Sequence, residues 1–369
     1  MKGTTPAEVV ILGIVADEVG FPKSDLIPKD SSNSEEPVWK GDRETLLTLG
    51  NGPDAKRTEN RWTVGDAFEG TQIFGATGSG KTSGSGKAIA TSLLKSQFGG
   101  LVLTAKTDEL ENWMDLAEAT GRFDDLWVFS PENDFRFNFL QYELTRPGTG
   151  AGQTENLVSL FTSVFEVAER AKGQSGGGDA YWRHALKQLL RNVIDLAVLS
   201  ENDVSLPKLY QIVTSAPRSR DELADEKWLN ESLCFELIAK ANEQAERLGR
   251  QQDFELVQTY WLREFPSLAE ETRSVIVSTF TSLADCFLRG TLRKLFCTDL
   301  NIRPEDSFEG KIIILNLPIK EWNDLGQFAQ SLFKFVWQRA VERRVPIEMG
   351  REEKTQKIRP VFLLSLIHI

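Results

Sequence analysis

The chain has few of the residues that build disulfide and metal sites. Its 369 residues include three cysteines, two histidines and three methionines. The cysteines Cys234, Cys286 and Cys297 are odd in number, widely spaced and in no CxxC pair. This pattern excludes a disulfide framework and indicates no zinc site. A reducing cytoplasm is the compartment that fits best.

Long apolar runs are also missing. The longest run near the start, Val9 to Ala16, lies between Glu8 and Asp17 and is far shorter than the ~18 residues that a membrane-spanning helix needs. We therefore expect no signal peptide and no transmembrane segment of the chain's own. The expected location is the cytoplasm, with a peripheral position at the inner face of a bacterial cell membrane as an option.

Basic residues are fewer than acidic ones. The chain has 43 Lys and Arg and 54 Asp and Glu, which gives a net charge of −11. This balance argues against a protein whose whole surface binds nucleic acid, although a local basic channel remains compatible with it. The composition that is present, 40% apolar and 26% charged, is typical of a soluble globular chain. The length allows two domains or one large domain with an insertion, and the pattern along the chain favours the insertion.

Strands alternate with helices in the first part of the chain, which predicts a parallel α/β sheet. The predicted elements are strands at 62–64 and 71–75, a helix at 81–95, a strand at 101–104, a helix at 109–120 and a strand at 126–130. From Phe21 to Asp42 the composition is that of a solvated linker.

The alternation then stops, and residues 179–288 have an almost entirely helical period. A strand returns at Ile312 to Leu315, a helix with an apolar stripe from Trp322 to Ala340 follows, and Pro360 to Leu364 again resembles a strand. We predict five segments: a preamble and linker at 1–60, a nucleotide-binding domain at 61–178 and 289–364, an inserted all-α domain at 179–288, and a tail at 365–369.

One motif carries strong chemical information. The G-x-x-x-x-G-K-[ST] pattern of a phosphate-binding loop is complete and stands between a predicted strand and a predicted helix. Its residues are Gly75, Ala76, Thr77, Gly78, Ser79, Gly80, Lys81 and Thr82, and the adjoining Ser83 is included in the predicted nucleotide site. Backbone N–H groups of such a loop curl around the β-phosphate, and the helix N-terminus adds positive potential. We expect Lys81 to contact the β- and γ-phosphates and to be the catalytic residue, and Thr82 to offer its hydroxyl to Mg²⁺.

A second Gly-Ser-Gly-Lys run follows at Gly84 to Lys87, but it lacks the earlier glycine and the Ser or Thr of the pattern. Lys81 is therefore the predicted phosphate lysine. Gly84 and Gly86 each cost a helix about 1 kcal/mol relative to Ala. They indicate either close packing by another group or simple tolerance.

Beyond this loop, the chain resembles the TraG/TraD-type coupling ATPases of conjugation and type IV secretion, relatives of the HerA/FtsK translocases. Four stretches carry the resemblance besides Gly75 to Thr82. These are Leu101 to Glu109, which resembles the strand ending in DPKGE, Leu126 to Leu140, which resembles the strand before FNPL, Asp179 to Trp182, and Ile312 to Pro318. Thr104 and Ala105 replace the Asp and Pro of DPKGE, and Phe139 replaces the Pro of FNPL.

This resemblance implies a RecA-like P-loop NTPase sheet with an inserted all-α domain. It further implies an ATPase that uses ATP and Mg²⁺, forms a homo-hexamer and moves DNA or a protein–DNA substrate. Single- or double-stranded DNA, relaxosome or secretion-substrate proteins, and type IV secretion channel components are the implied partners. Two alternatives stay open: a secretion ATPase for protein cargo only, and an adaptor that binds ATP without hydrolysis.

The last residues depart from the resemblance. The family's strand equivalent to Pro360 to Leu364 leads into the Walker B acid pair, whereas Ser365, Leu366, Ile367, His368 and Ile369 follow here. Residues 364–369 equal the translation of a transposase-adapter sequence used in DNA library preparation. We therefore expect a non-native tail and a chain truncated at the Walker B strand, with little ATP turnover by the chain as it stands.

Four further residues are weaker candidates. Asn316, at the end of a predicted strand, suits either a γ-phosphate sensor or a turn before Pro318. Arg289 and Arg293 suit either an arginine finger acting on a neighbouring subunit or a solvated basic turn, and the second is favoured. His184 has no second ligand at metal-binding spacing, so we interpret it as an ordinary helix residue.

Overall fold

The computed structural model describes residues 10–14, 44–48, 61–74, 80–171, 180–344 and 360–365. Contacts within the chain divide these residues into two units. The first comprises the described residues up to Asp134 together with those from Arg303 onward, and the second runs from Phe135 to Ile302.

The first unit begins with short strands and then alternates strands with helices. Its elements before the second unit are β1 (Val10–Ile14), β2 (Thr45–Thr48), β3 (Arg61–Thr63), α1 (Val64–Phe68), β4 (Thr71–Ile73), a π-helical turn (Lys81–Gly86), α2 (Lys87–Lys95), β5 (Gly99–Leu103), α3 (Glu109–Ala119) and β6 (Leu126–Phe129).

The second unit is helical. Its helices are α4 (Phe139–Thr145), α5 (Thr154–Ala171), α6 (Ala180–Glu201), α7 (Leu206–Thr214), α8 (Glu226–Glu231), α9 (Leu233–Leu248), α10 (Gln251–Thr259), α11 (Glu270–Asp285) and α12 (Gly290–Phe296). The chain then returns to the first unit through β7 (Ile312–Leu315), α13 (Ile319–Glu342) and β8 (Val361–Ser365).

The main sheet has six strands in the order β4-β1-β8-β5-β7-β6. The four strands from β8 to β6 are parallel, while β1 is antiparallel to both of its neighbours, β4 and β8. Because β1 alone is reversed, β4 runs in the same direction as β8, β5, β7 and β6. The smaller sheet pairs β2 with β3 antiparallel.

Both faces of the sheet are covered, since β5 and β7 are buried at every position. Val102, Ile314 and Leu364 belong to a buried cluster that includes residues of α2 and α3. The other face packs against α13, where the rings of Phe129 and Phe333 lie 5.6 Å apart. Strands that are apolar on both faces are typical of parallel sheets enclosed between helices.

The helical unit has a core of its own around α6. Leu189, Leu190 and Val193 are fully buried, as the three-and-four spacing predicted. Phe161 of α5 stacks on Phe280 of α11 at 5.9 Å. Trp261 is fully buried and donates its indole N–H to the carbonyl oxygen of Asn192 at 3.2 Å, which makes it a core residue.

The prediction of a mixed α/β chain with a parallel sheet is confirmed. The predicted helix at 81–95 is α-helical only from Lys87, because Lys81–Gly86 forms a π-helical turn. The helical unit is longer than residues 179–288, since Phe137 bridges to Leu300 and draws the flanking segments into it.

The preamble predicted at 1–60 also contributes to the sheet, because β1 pairs with β4 and β8. The predicted linker at Phe21 to Asp42 lies outside the described residues.

Candidate functional site at the carboxyl edge of the sheet

The carboxyl ends of β4, β5, β6, β7 and β8 meet at one edge of the sheet, because these strands share a direction. In open α/β sheets, ligands bind outside the carboxyl ends of the strands. The predicted phosphate-binding loop follows β4, so it starts from this edge and leads into the π-helical turn and α2. This edge is the candidate functional site.

The described part of the predicted loop is its second half. Gly75 to Ser79 and the side chain of Lys81 lie outside the described residues. Gly80 is left-handed, with φ 82° and ψ 16°, and its carbonyl oxygen accepts the N–H of Gly84 at 2.7 Å. Glycine readily adopts the left-handed conformation. A left-handed residue before the helix suits a backbone that curls around a phosphate. Thr82 and Ser83 are exposed, so their hydroxyls are accessible to a ligand.

The second glycine run behaves differently from the first. Gly84 is exposed, and a Cβ added there would meet no described heavy atom within 4 Å. This favours tolerance over close packing for Gly84. Lys87 is exposed at the start of α2.

Hydrogen bonds from side chains hold the loop after β5. The buried carboxylate of Glu109 accepts the backbone N–H of Ala105 at 2.6 Å and also that of Lys106. Burial raises the pKa of Glu109, although the two backbone N–H groups and the Lys106 charge oppose the increase. The hydroxyl of Thr104 donates to the carbonyl oxygen of Leu315 at 2.9 Å, which joins the ends of β5 and β7.

Helix α13 approaches the same loop with a buried amide. Gln330 Nε2 donates to the carbonyl oxygens of Thr104 at 2.6 Å and Leu317 at 2.8 Å. Its Oε1 is buried and has no hydrogen-bond partner among the described residues. The backbone N–H of Lys320 donates to the carbonyl oxygen of Ala105 at 3.2 Å.

Asn316 follows β7 at the candidate site. Its backbone N–H donates to the carbonyl oxygen of Phe129 at 3.0 Å and continues the pairing of β7 with β6. Its side-chain Oδ1 is buried and has no hydrogen-bond partner among the described residues. A buried acceptor of this kind fits a site that a ligand or an ordered water completes. The γ-phosphate role of Asn316 stays a prediction.

The remaining candidates lie in the helical unit. Arg289 is exposed and paired with Asp285 at 2.7 Å, and Arg293 is exposed on α12. The arginine-finger role of either residue stays a prediction. His184 is exposed on α6. Across the part of the chain that the structure describes, no group of three His, Cys, Asp or Glu side chains forms a metal site.

The described helices were also compared with the requirements of a membrane span. None of them alone has the length and apolar composition to cross a membrane, while α11 and α12, bent by 87°, meet the test only as a pair.

Comparison with known proteins assigns the family. A family model described as type IV secretory system conjugative DNA transfer matches residues 23–358. The chain therefore belongs to this family, and the resemblance to TraG/TraD-type coupling proteins is confirmed. Searches of curated proteins and of solved structures gave no match. The family role is conjugative DNA transfer by a type IV secretion system.

Sequence reasoning missed Glu109 and Gln330 as residues that shape the site. Glu109 lies within the stretch that resembles DPKGE, so that motif was a usable signal. Gln330 lies within the predicted helix but not on its apolar stripe, and it is separated from Thr104 by 226 residues. Nothing in its local sequence indicates that partner.

Proposed function

We propose that the chain is the nucleotide-binding part of a coupling ATPase that moves DNA, or a DNA–protein substrate, into a type IV secretion channel. Family membership supports the role in DNA transfer. The observation that carries the ATP-dependent part is the position of the G-x-x-x-x-G-K-T loop. It connects β4 to α2 at the carboxyl edge of a largely parallel sheet, as in a RecA-like P-loop domain.

The described residues fit a bound ATP·Mg²⁺ complex. Gly80 has the left-handed conformation that such a loop uses, and the accessible Thr82 hydroxyl suits a magnesium ligand. In this proposal, residues 75–83 hold the nucleotide, and Lys81 binds the β- and γ-phosphates.

The proposed assembly is a homo-hexamer located at the inner face of the cell membrane, where channel components and relaxosome or secretion-substrate proteins meet it. A ring would let one subunit complete the nucleotide site of the next, as P-loop motors do with arginine fingers. Arg289 and Arg293 are the candidates for that role.

The test measures ATP hydrolysis with and without DNA by a version of the chain in which β8 is continued into the family's Walker B acid pair, together with DNA binding over a range of salt concentrations. We expect DNA to stimulate hydrolysis and log Kobs for DNA to fall linearly with log salt, because phosphate contacts release counterions. Absence of a salt-dependent DNA complex, with hydrolysis intact, would instead identify a protein-only secretion ATPase. ATP binding without turnover would identify an adaptor.

A further inference from the structure

The loop after β5 carries a lysine, Lys106, at the candidate site. Of the first three residues after β5, β6 and β7, only Lys106 is positively charged. Its side chain is half-buried and has no hydrogen bond or ion pair within the described residues, although its charge acts on Glu109. A partly buried cation that makes no ion pair with the described residues is a candidate for binding an anion.

The backbone around Lys106 is fixed before any ligand arrives. Glu109 accepts the N–H groups of residues 105 and 106, Gln330 donates to the carbonyl of Thr104, and Lys320 donates to that of Ala105. Two elements, α3 and α13, therefore hold the two consecutive peptide groups that join residues 104 to 106. A binding residue on such a supported loop loses little conformational entropy when it engages its ligand.

Helix α13 contacts this loop through two residues, one before and one after a residue with a strained backbone conformation. Asn323 interrupts the helix with φ 47° and ψ −130°, a conformation that only glycine adopts without strain. Lys320 lies before this interruption and Gln330 after it. Gly326 closes the bend, since an added Cβ would lie 2.7 Å from the carbonyl oxygen of Leu317. Strained residues persist where their surroundings fix them.

The place of β5 in the strand order bears on which anion Lys106 contacts. β5 is three positions from β4 in the sheet, and at the ~4.8 Å spacing of strands this is about 14 Å. The strand that ends before Lys106 is therefore not a neighbour of the strand that leads into the predicted nucleotide loop. The family's substrate, DNA, supplies another phosphate. With a net charge of −11 on the chain, DNA must bind through a few placed cations and not through the surface as a whole.

We propose that Lys106 contacts a backbone phosphate of the transferred DNA, and that Gln330 is the positioning residue that holds its loop. This proposal rests on the proposed function, because it assumes DNA as the substrate. The contact is independent of base sequence, as phosphate contacts are.

The experiment measures the salt dependence of DNA binding by the full chain and its variants, with one duplex and one single strand as probes. Lys106→Gln should lower the magnitude of the slope of log Kobs against log salt by about 0.9 per contact on the duplex and about 0.7 on the single strand. Lys106→Arg should restore the slope. Lys95→Gln is the matched control, because Lys95 is exposed at the far end of α2, away from the carboxyl edge.

Gln330→Met separates positioning from contact. Met has nearly the size of Gln, so the core is preserved while both hydrogen bonds are lost. DNA affinity should fall severalfold with an unchanged slope, because the charge is retained and only its loop is released. Amide hydrogen exchange should accelerate at residues 104–109. Gln327→Met, at an exposed position of the same helix, should change neither quantity.

The outcomes separate this proposal from the one on which it rests. If the unaltered chain shows no salt-dependent DNA binding, the DNA-transfer function fails and the Lys106 contact fails with it. If DNA binds with a clear slope that Lys106→Gln leaves unchanged, only the Lys106 contact is overturned. A loss of ATP affinity in Lys106→Gln at unchanged DNA slope would also overturn it and would assign the lysine to the nucleotide. Unchanged affinity and exchange in Gln330→Met would refute the positioning role.

Discussion

The guanidinium of Arg122 donates a hydrogen bond of 2.6 Å to the carbonyl oxygen of Gly310, which precedes β7. The same buried side chain donates to the carbonyls of Leu94, at the end of α2, and Phe98, before β5, and pairs with Asp125 before β6. One arginine thus joins four segments at the amino edge of the sheet, opposite the candidate site.

Replacing this arginine should destabilise the first unit strongly. Arg122→Met would leave several buried carbonyls without donors, and we expect a loss of about 3 kcal/mol or more in the free energy of unfolding. Arg250→Met is the matched control, because Arg250 makes the same i,i+3 pair with Asp253 on the surface and should cost less than about 1 kcal/mol. Chemical denaturation measures both variants. Equal losses would show that Arg122 does not organise the amino edge.

The acid sensitivity of the fold should include a contribution from Asp125. Burial raises the pKa of this carboxyl, but the hydrogen bonds from Lys311 and Arg122 outweigh burial and hold it below the ordinary value. A pKa that is lower in the folded chain stabilises it above the ordinary aspartate value of about 4, and this contribution is lost as the pH falls below that value. Denaturation between pH 6 and pH 3, compared with Lys311→Gln, should show a smaller acid loss in the variant. An identical loss would contradict the pairing.

Alanine substitutions at Gly99 and Gly84 should have opposite effects on the stability of the fold. A Cβ at Gly99 would lie 1.9 Å from the carbonyl oxygen of Ser307, so Gly99→Ala should prevent β5 from reaching its place. Gly84→Ala should be neutral or should stabilise by up to about 1 kcal/mol, because alanine there gains helix propensity without a clash. Thermal unfolding compares them. Destabilisation by Gly84→Ala would support the close-packing interpretation of that glycine.

Glycine in place of Asn323, at the bend in α13, should raise the free energy of unfolding. Asn323→Gly removes a conformational cost of about 1–3 kcal/mol at φ 47° and ψ −130°, offset in part by the greater freedom of glycine in the unfolded chain. We therefore expect a net gain in the free energy of unfolding. Asn323→Ala should lose stability, and this reversal of sign between the two variants is the measurement. A loss in both would show that the Asn323 side chain contributes more than its backbone costs.

Elements with strong local patterns could be predicted from the sequence. The run of four apolar residues predicted the strand at Ile312–Leu315 with the observed bounds, and the helix predicted from Glu109 differs by one residue at its end. The phosphate-loop pattern follows β4 and therefore starts at the edge where the carboxyl ends of the like-directed strands meet, while its role in nucleotide binding stays a prediction. Each of these features depends on neighbouring residues.

The features that were missed depend on distant partners. The reversed β1 inside the sheet requires pairing with strands near residues 72 and 363. The early start of the helical unit depends on Phe137 meeting Leu300, and the support of the β5 loop depends on Gln330. The bend at Asn323 interrupts a helix whose apolar spacing continues across it. Periodicity records which face is buried but not what it is buried against.

The central claim is that the loop Gly75 to Thr82 binds ATP through Lys81. We would measure ATP·Mg²⁺ affinity for the unaltered chain, Lys81→Ala and Lys87→Ala, the last of which removes the lysine of the imperfect second motif. A charge-assisted contact contributes about 1.5–3 kcal/mol, so Lys81→Ala should bind ATP at least about tenfold more weakly, while Lys87→Ala should match the unaltered chain. Equal affinities in all three proteins, or a loss confined to Lys87→Ala, would contradict the account.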